Sequence, residues 1–192
     1  MVFEHKIVLE GLQPSTAYIL RIKSKDASGN QATVEINTPN QTLATRLSTE
    51  MVIGQQSPEF LLKTVSEESI RLSDFQGKWV MIVFWMTSCN GCREELPYLN
   101  KFWINTKFND FTLLTVNVGG QEVLTKNYIK SQNLTFPVLL DREKEVSEKY
   151  TVAKFPTTFL IDPRGAINKI KEDAFKNEAE IDVFVRSAIK SD

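Results

Sequence analysis

The stretch KWVMIVFWMTSCNGCREELP, residues 78–97, decides how this 192-residue chain is to be read. Its first half, 78–85, is a continuous apolar run of strand length, of the kind buried on both faces of a sheet. Its second half sets Cys89 and Cys92 at C-x-x-C spacing, at the point where strand gives way to helix. That helix is expected to run to about Lys107, interrupted at Pro97. Residues i and i+3 of a helix share a face, so the two sulfurs can be joined with little backbone movement. The first cysteine lies at the helix N-terminus, where free N–H groups and the helix dipole favour a thiolate. The thiolate is the attacking species in disulfide exchange. Cys92, a turn further in, is shielded and suited to act second. On spacing alone two other readings stay open, namely half of a zinc site and a pair of inert buried cysteines. Zinc needs four ligands, and with two cysteines and one histidine (His5) the chain would have to draw on carboxylates or a partner.

Working outward, the pattern after Pro58 alternates strands and helices. A short hairpin is expected from 60–63 and 69–72 around SEES. FTLLTVNV, 111–118, is a second buried strand, ended by Gly119 and Gly120. Val123, Tyr128 and Ile129 suggest a helix over 121–132, followed by a strand at FPVLL, 136–140, and a helical stretch over 143–150. TTFLID at 157–162, a turn at Pro163 to Gly165 and AINKIKE at 166–172 make a strand pair. In the last helix Asn177 and Glu180 form a capping box, and Ile181, Phe184, Val185, Ala188 and Ile189 line one face. This alternation predicts an α/β layer fold with a mainly parallel centre.

Residues 1–40 read differently. Period-2 strands are expected at 4–10, 17–24 and 32–38, with turns at Gly11 to Pro14 and at Asp26 to Asn30. The polar, aperiodic stretch 41–56 reads as a linker, so the second domain spans 57–192.

Composition removes several function classes. Hydrophobic residues are 42%, charged residues 24% and the net charge is −1, as in an ordinary soluble domain without the basic footprint of a nucleic-acid binder. No apolar run approaches the ~18 residues of a membrane span, and MVFEHKIVLEG lacks the features of a signal peptide. A Ser-His-Asp or Cys-His site would have only His5 to use. The sequons at Asn40 and Asn133 have no supporting context.

WMTSCNGCREELP directly after a buried strand, with KFPTTFLID beyond it, resembles the thioredoxin superfamily. The R-x-E-x-P tail after Cys92, SDFQGKW before the strand and FPVLLD in the inserted region are similar to its TlpA/ResA-type branch. The resemblance covers roughly 55–190 and implies a thioredoxin-like fold, a central mixed sheet flanked by helices with an N-terminal hairpin and an αβ insertion. It implies a thiol–disulfide oxidoreductase in which Cys89 is the nucleophile and Cys92 resolves the mixed disulfide. Trp85 then matches the aromatic that shelters the site, Pro97 the proline of the first helix, and Pro156 the cis-proline facing the cysteines. The backbone of Phe155 is placed to pair with a substrate strand. No cofactor is implied beyond the redox-active disulfide, no metal and no nucleic acid. The implied partners are protein dithiols or disulfides and a redox protein that exchanges electrons with the site.

The chain departs from the wider family at several positions. Val83 stands where thioredoxin carries a buried aspartate, Ser88 replaces a tryptophan, and Asn90 and Gly91 separate the cysteines. Glu95 reads as a solvated or salt-bridged helix residue. A peroxiredoxin-like peroxidase is a weaker alternative, because its P-x-x-x-T-x-x-C pattern would fall on Ile82 and Met86. A non-catalytic thioredoxin-like binding module is another. GLQPSTAY, with Tyr18 as a corner tyrosine, and the hairpin after it resemble the last strands of a fibronectin type III domain. Both resemblances point outside the cytoplasm, to the cell envelope or beyond, and lead to the expectation that the true N-terminus lies upstream of Met1.

Overall fold

The computed structural model describes residues 18–25, 31–38, 51–106 and 108–189. The chain divides into two units, 1–47 and 48–192. In the first, β1 (Tyr18–Lys25) and β2 (Gln31–Thr38) pair antiparallel, Tyr18 opposite Thr38 and Lys25 opposite Gln31. The strand expected at 4–10 lies outside the described residues, and two strands do not distinguish a fibronectin-like fragment from any other hairpin.

The second unit is built on the run 78–97. β5 (Trp79–Trp85) is buried along its whole length and holds the centre of a five-stranded sheet of order β7-β6-β5-β8-β9. β6 (Phe111–Val118) and β7 (Val138–Asp141) run parallel to it. β8 (Thr157–Ile161) runs antiparallel to β5, and β9 (Ile167–Lys171) antiparallel to β8. The sheet is therefore mixed around a parallel core, as the resemblance implies. The uninterrupted apolar strands follow from burial of both faces. Met81, Val83 and Trp85 face a cluster that α1 (Asn90–Asn105) and α4 (Glu178–Ile189) supply through Leu96, Leu99, Ile181 and Val185. Tyr128 and Ile129 of α2 (Glu122–Ser131) pack on the same side. Val80, Ile82 and Phe84 face the opposite cluster, with Val146 of α3 (Glu145–Lys149) and with Phe60 and Leu72 near the hairpin. The hairpin pairs β3 (Leu61–Lys63) with β4 (Ser69–Arg71), and its Val65 N–H reaches Val138 O across the β7 edge, 3.0 Å.

Several expectations are corrected. α1 passes through Pro97 as one helix. Within the stretch read as a linker, Met51 to Gln56 belong to the second unit: Gly54 N–H donates to Ile167 O at 2.7 Å and Ile167 N–H to Gln55 O at 2.8 Å. The capping box of α4 is one-sided. Asn177 Oδ1 accepts the Glu180 N–H at 2.9 Å, but the Glu180 carboxylate reaches past Asn177 to the N–H of Lys176, also 2.9 Å.

Candidate active site

β5 ends at Trp85, and four residues later, at Cys89, the chain turns into α1, its entry closed by a bond from Cys89 N–H to Met86 O at 3.2 Å. Cys89 is the N-cap of α1, with extended backbone (φ −84°, ψ 118°), and its Sγ accepts the N–H of Cys92 at 3.1 Å. Sulfur thus occupies the place of the usual capping oxygen, and the same donor stabilises negative charge on Cys89 once the bond to Cys92 is opened. The two cysteines are joined in a disulfide, Cα atoms 5.3 Å apart. Their surroundings differ sharply: Cys89 is half-buried and Cys92 has no exposed surface.

The Phe155–Pro156 bond is cis, and the turn it makes brings both residues against the motif. Phe155 O lies 3.4 Å from Cys89 Sγ. A Cβ at Gly91 would make ordinary van der Waals contact with the Pro156 ring at 3.7 Å and with Ala174 at 3.8 Å, which places the first turn of α1 directly beside the cis-proline segment. The Phe155 ring is half-buried. Trp85 has no exposed surface and lies within the core beneath the motif, in the cluster that holds Cys92, so it backs the site from inside.

Glu95 is corrected. It is fully buried on the inner stripe of α1 with Cys92, Leu96 and Leu99. Its Oε2 accepts the N–H of Phe175 at 2.8 Å, while Oε1 is buried without a partner among the described residues. Burial pushes its carboxyl up to about 8, against the Phe175 bond and the nearby Lys171, which pull it down. It therefore holds a proton at neutral pH. Val83 is as apolar in its setting as in its sequence, so the buried acid of this site comes from the helix rather than from the strand. The signal was present in the spacing: Cys92, Glu95, Leu96, Leu99 and Phe102 follow the helical period, but three consecutive charged residues from Arg93 to Glu95 resemble a solvated face. Beside this segment runs an open groove of about 1010 Å³, lined by Glu94, Tyr98, Ala174, Phe175 and Lys176 among others. No group of three or more metal-ligating side chains is found among the described residues.

The AhpC/TSA family matches residues 53–170. The thiol-disulfide oxidoreductase ResA of Bacillus subtilis is 38% identical over 117 residues, which is 61% of this chain and 65% of that protein's length. The crystal structure of StoA from Bacillus subtilis superposes with a TM-score of 0.61 at 28% identity, covering 67% of this chain and 96% of that one. The pneumococcal exposed lipoprotein thioredoxin of Streptococcus pneumoniae gives a TM-score of 0.61 at 29% identity, covering 68% of this chain and 99% of that one.

Proposed function

The chain belongs to the AhpC/TSA family and carries the C-x-x-C pair of a thiol–disulfide oxidoreductase, and on that premise we propose how the pair works. In the reduced protein the Cys89 thiolate attacks one sulfur of a substrate disulfide. The substrate bond breaks, its leaving sulfur departs as a thiolate that takes up a proton, and a mixed disulfide forms on Cys89. The Cys92 sulfur, deprotonated, then attacks Cys89 Sγ. The second substrate thiolate leaves, and the Cys89–Cys92 disulfide closes with two electrons passed to the substrate. Run backwards, the same steps oxidise a substrate dithiol. Glu95, one turn along α1 from Cys92, is raised to about 8, so its ionised fraction takes the Cys92 proton for resolution and passes it on as the substrate thiolate leaves.

The observation that carries this reading is the asymmetry of the pair, a half-exposed Cys89 capping the helix and a fully buried Cys92 behind it. Phe155 and Pro156 form the platform: an extended substrate segment pairs with the Phe155 backbone and sets its cysteine over Cys89. The substrates are disulfides or dithiols of proteins, and a second redox protein restores the pair. Location outside the cytoplasm agrees with the exposed lipoprotein among the similar structures. The catalytic domain takes in Met51 to Gln56 as well as 57–192, and residues 1–40 are read as a fibronectin-like appendage on the sequence resemblance alone.

Insulin reduction with dithiothreitol as electron source tests the activity. The chain is expected to speed precipitation of the insulin B chain and Cys89→Ser to abolish the effect. A wild-type protein without activity would favour a binding module instead.

A further inference from the structure

Two hydrogen-bond donors are buried without a partner among the described residues behind the cysteine pair, Trp85 Nε1 and Asn117 Nδ2. They are neighbours. Trp85 and Asn117 are register partners on the parallel strands β5 and β6, so their side chains leave the same face of the sheet. Both meet α2 on that face. The Trp85 ring lies 5.9 Å from the ring of Tyr128, and Asn117 Oδ1 lies 2.9 Å from Thr125 Oγ1. Thr125 and Tyr128 are i and i+3 on α2, adjacent on one side of the helix.

The Thr125 hydroxyl exposes an inconsistency in this arrangement. Its oxygen lies 2.9 Å from Asn117 Oδ1 and 3.1 Å from Gln121 O. Both neighbours are acceptors and the hydroxyl has one proton, so one of the two contacts is left without a donor. Turning the Asn117 amide end over end gives Thr125 Oγ1 a donor and frees the hydroxyl proton for Gln121 O, and the two orientations differ only in which atom is nitrogen and which oxygen.

We propose that the Asn117 amide is so turned, that its Nδ2 donates to Thr125 Oγ1 while its Oδ1 accepts the Trp85 indole N–H, and that Asn117 is thereby a positioning residue for the wall behind Cys92. The Thr125 hydroxyl is then free to donate to Gln121 O, and the chain Trp85–Asn117–Thr125–Gln121 ties the core tryptophan to the first turn of α2. Gly120 belongs to the same device: a Cβ there would overlap the Asn117 side chain and come within 2.9 Å of Thr125 Oγ1. Trp85 shares its cluster with Cys92, so fixing the indole fixes the packing that keeps Cys92 out of reach while Cys89 is exposed. This rests on the roles proposed above for the two cysteines.

The test uses the reduced full chain. Asn117→Leu keeps the volume and removes both polar ends. The Trp85 indole proton, assigned by its loss in Trp85→Phe, should move upfield in Asn117→Leu and exchange faster with solvent. Iodoacetamide labelling read by mass spectrometry should show the ratio of Cys92 to Cys89 modification rising about tenfold, the expected consequence of stranding one buried donor, with Cys89 itself unchanged. Leu139→Ala, in the cluster on the other side of the sheet, serves as the equally destabilised control. The proposal is overturned if the indole resonance does not move, if the ratio is unchanged, or if the control raises it as much. Should the leucine variant not fold, the wild-type spectrum decides: an indole proton at the position of a free indole overturns the proposal. Equal labelling of both cysteines in the wild-type protein is a separate outcome, which contradicts the roles given to the cysteines and leaves the indole measurement to judge Asn117.

Discussion

At Glu95 the cost of burying a carboxylate becomes a pH dependence that can be measured. The folded protein holds the proton up to about pH 8, whereas an unfolded chain releases it near ~4.3. Between those values the folded state binds more protons than the unfolded one, so this group lowers stability as pH rises through the window. Below the window it costs nothing further; above it the whole penalty of a buried charge is present. Glu95→Gln keeps an acceptor for the Phe175 N–H and removes the titration. Urea denaturation of the variant should show a flatter profile between pH 5 and 8 and a gain over wild type of a few kcal/mol, roughly the ~1.4 kcal/mol per pKa unit of the shift, at pH 9. At pH 4.5 the two should agree. A parallel pair of profiles would mean that Glu95 does not titrate in this range. The same substitution should slow resolution of the mixed disulfide, because Cys92 loses its proton partner.

Among the elements, α4 offers the simplest check on how local chemistry sets a boundary. Asn177 supplies the single side-chain cap of its first turn, and replacing it with alanine should cost about 1 kcal/mol, read from thermal or urea unfolding. A loss below a few tenths would mean that the Lys176–Glu180 bond alone holds this end. Elsewhere the sequence pattern located elements better than their ends. β7 starts at Val138 rather than Phe136 because Pro137 has no N–H for the ladder; its carbonyl accepts from Thr115 N–H at 3.1 Å. α3 starts at Glu145 rather than 143 because Lys144 adopts a left-handed conformation (φ 63°) and the buried Asp141 caps the N–H groups of Val146 and Ser147 from outside the helix. Such caps come from residues whose own burial no periodicity announces. The dithiol was legible because C-x-x-C spacing at a strand-to-helix turn puts an N-cap cysteine beside the N–H of the residue three on, and because the flanking motifs resemble the TlpA/ResA-type branch. The settings of Glu95 and Asn117 were harder to read. The helical period puts Glu95 on the buried stripe, but its partner Phe175 lies far along the chain. The contact of Asn117 with Thr125 of α2, though close in sequence, is one that no periodicity announces.

For the molecule as a whole, the division at residues 47 and 48 and the bonds from Gly54 and Gln55 to β9 set where the chain can be cut. A chain beginning at Ser48 should fold and reduce insulin at the wild-type rate, since every residue placed at the site lies in the second unit. One beginning at Ser57 loses the bonds that residues 54–56 make to Ala166 and Ile167, and should unfold at lower denaturant. If the Ser48 chain folds but is inactive, the first unit contributes to the chemistry and the site has been drawn too small. The central claim is that Cys89 attacks and Cys92 resolves, and trapping a disulfide-bearing protein separates the two roles directly. Cys92→Ser, incubated with an oxidised protein substrate and analysed by non-reducing electrophoresis and mass spectrometry, should accumulate a mixed disulfide on Cys89, because the internal attacker is gone. Cys89→Ser should accumulate none, its remaining thiol being buried. Adducts forming through Cys92 in Cys89→Ser as readily as through Cys89 in Cys92→Ser would contradict the account.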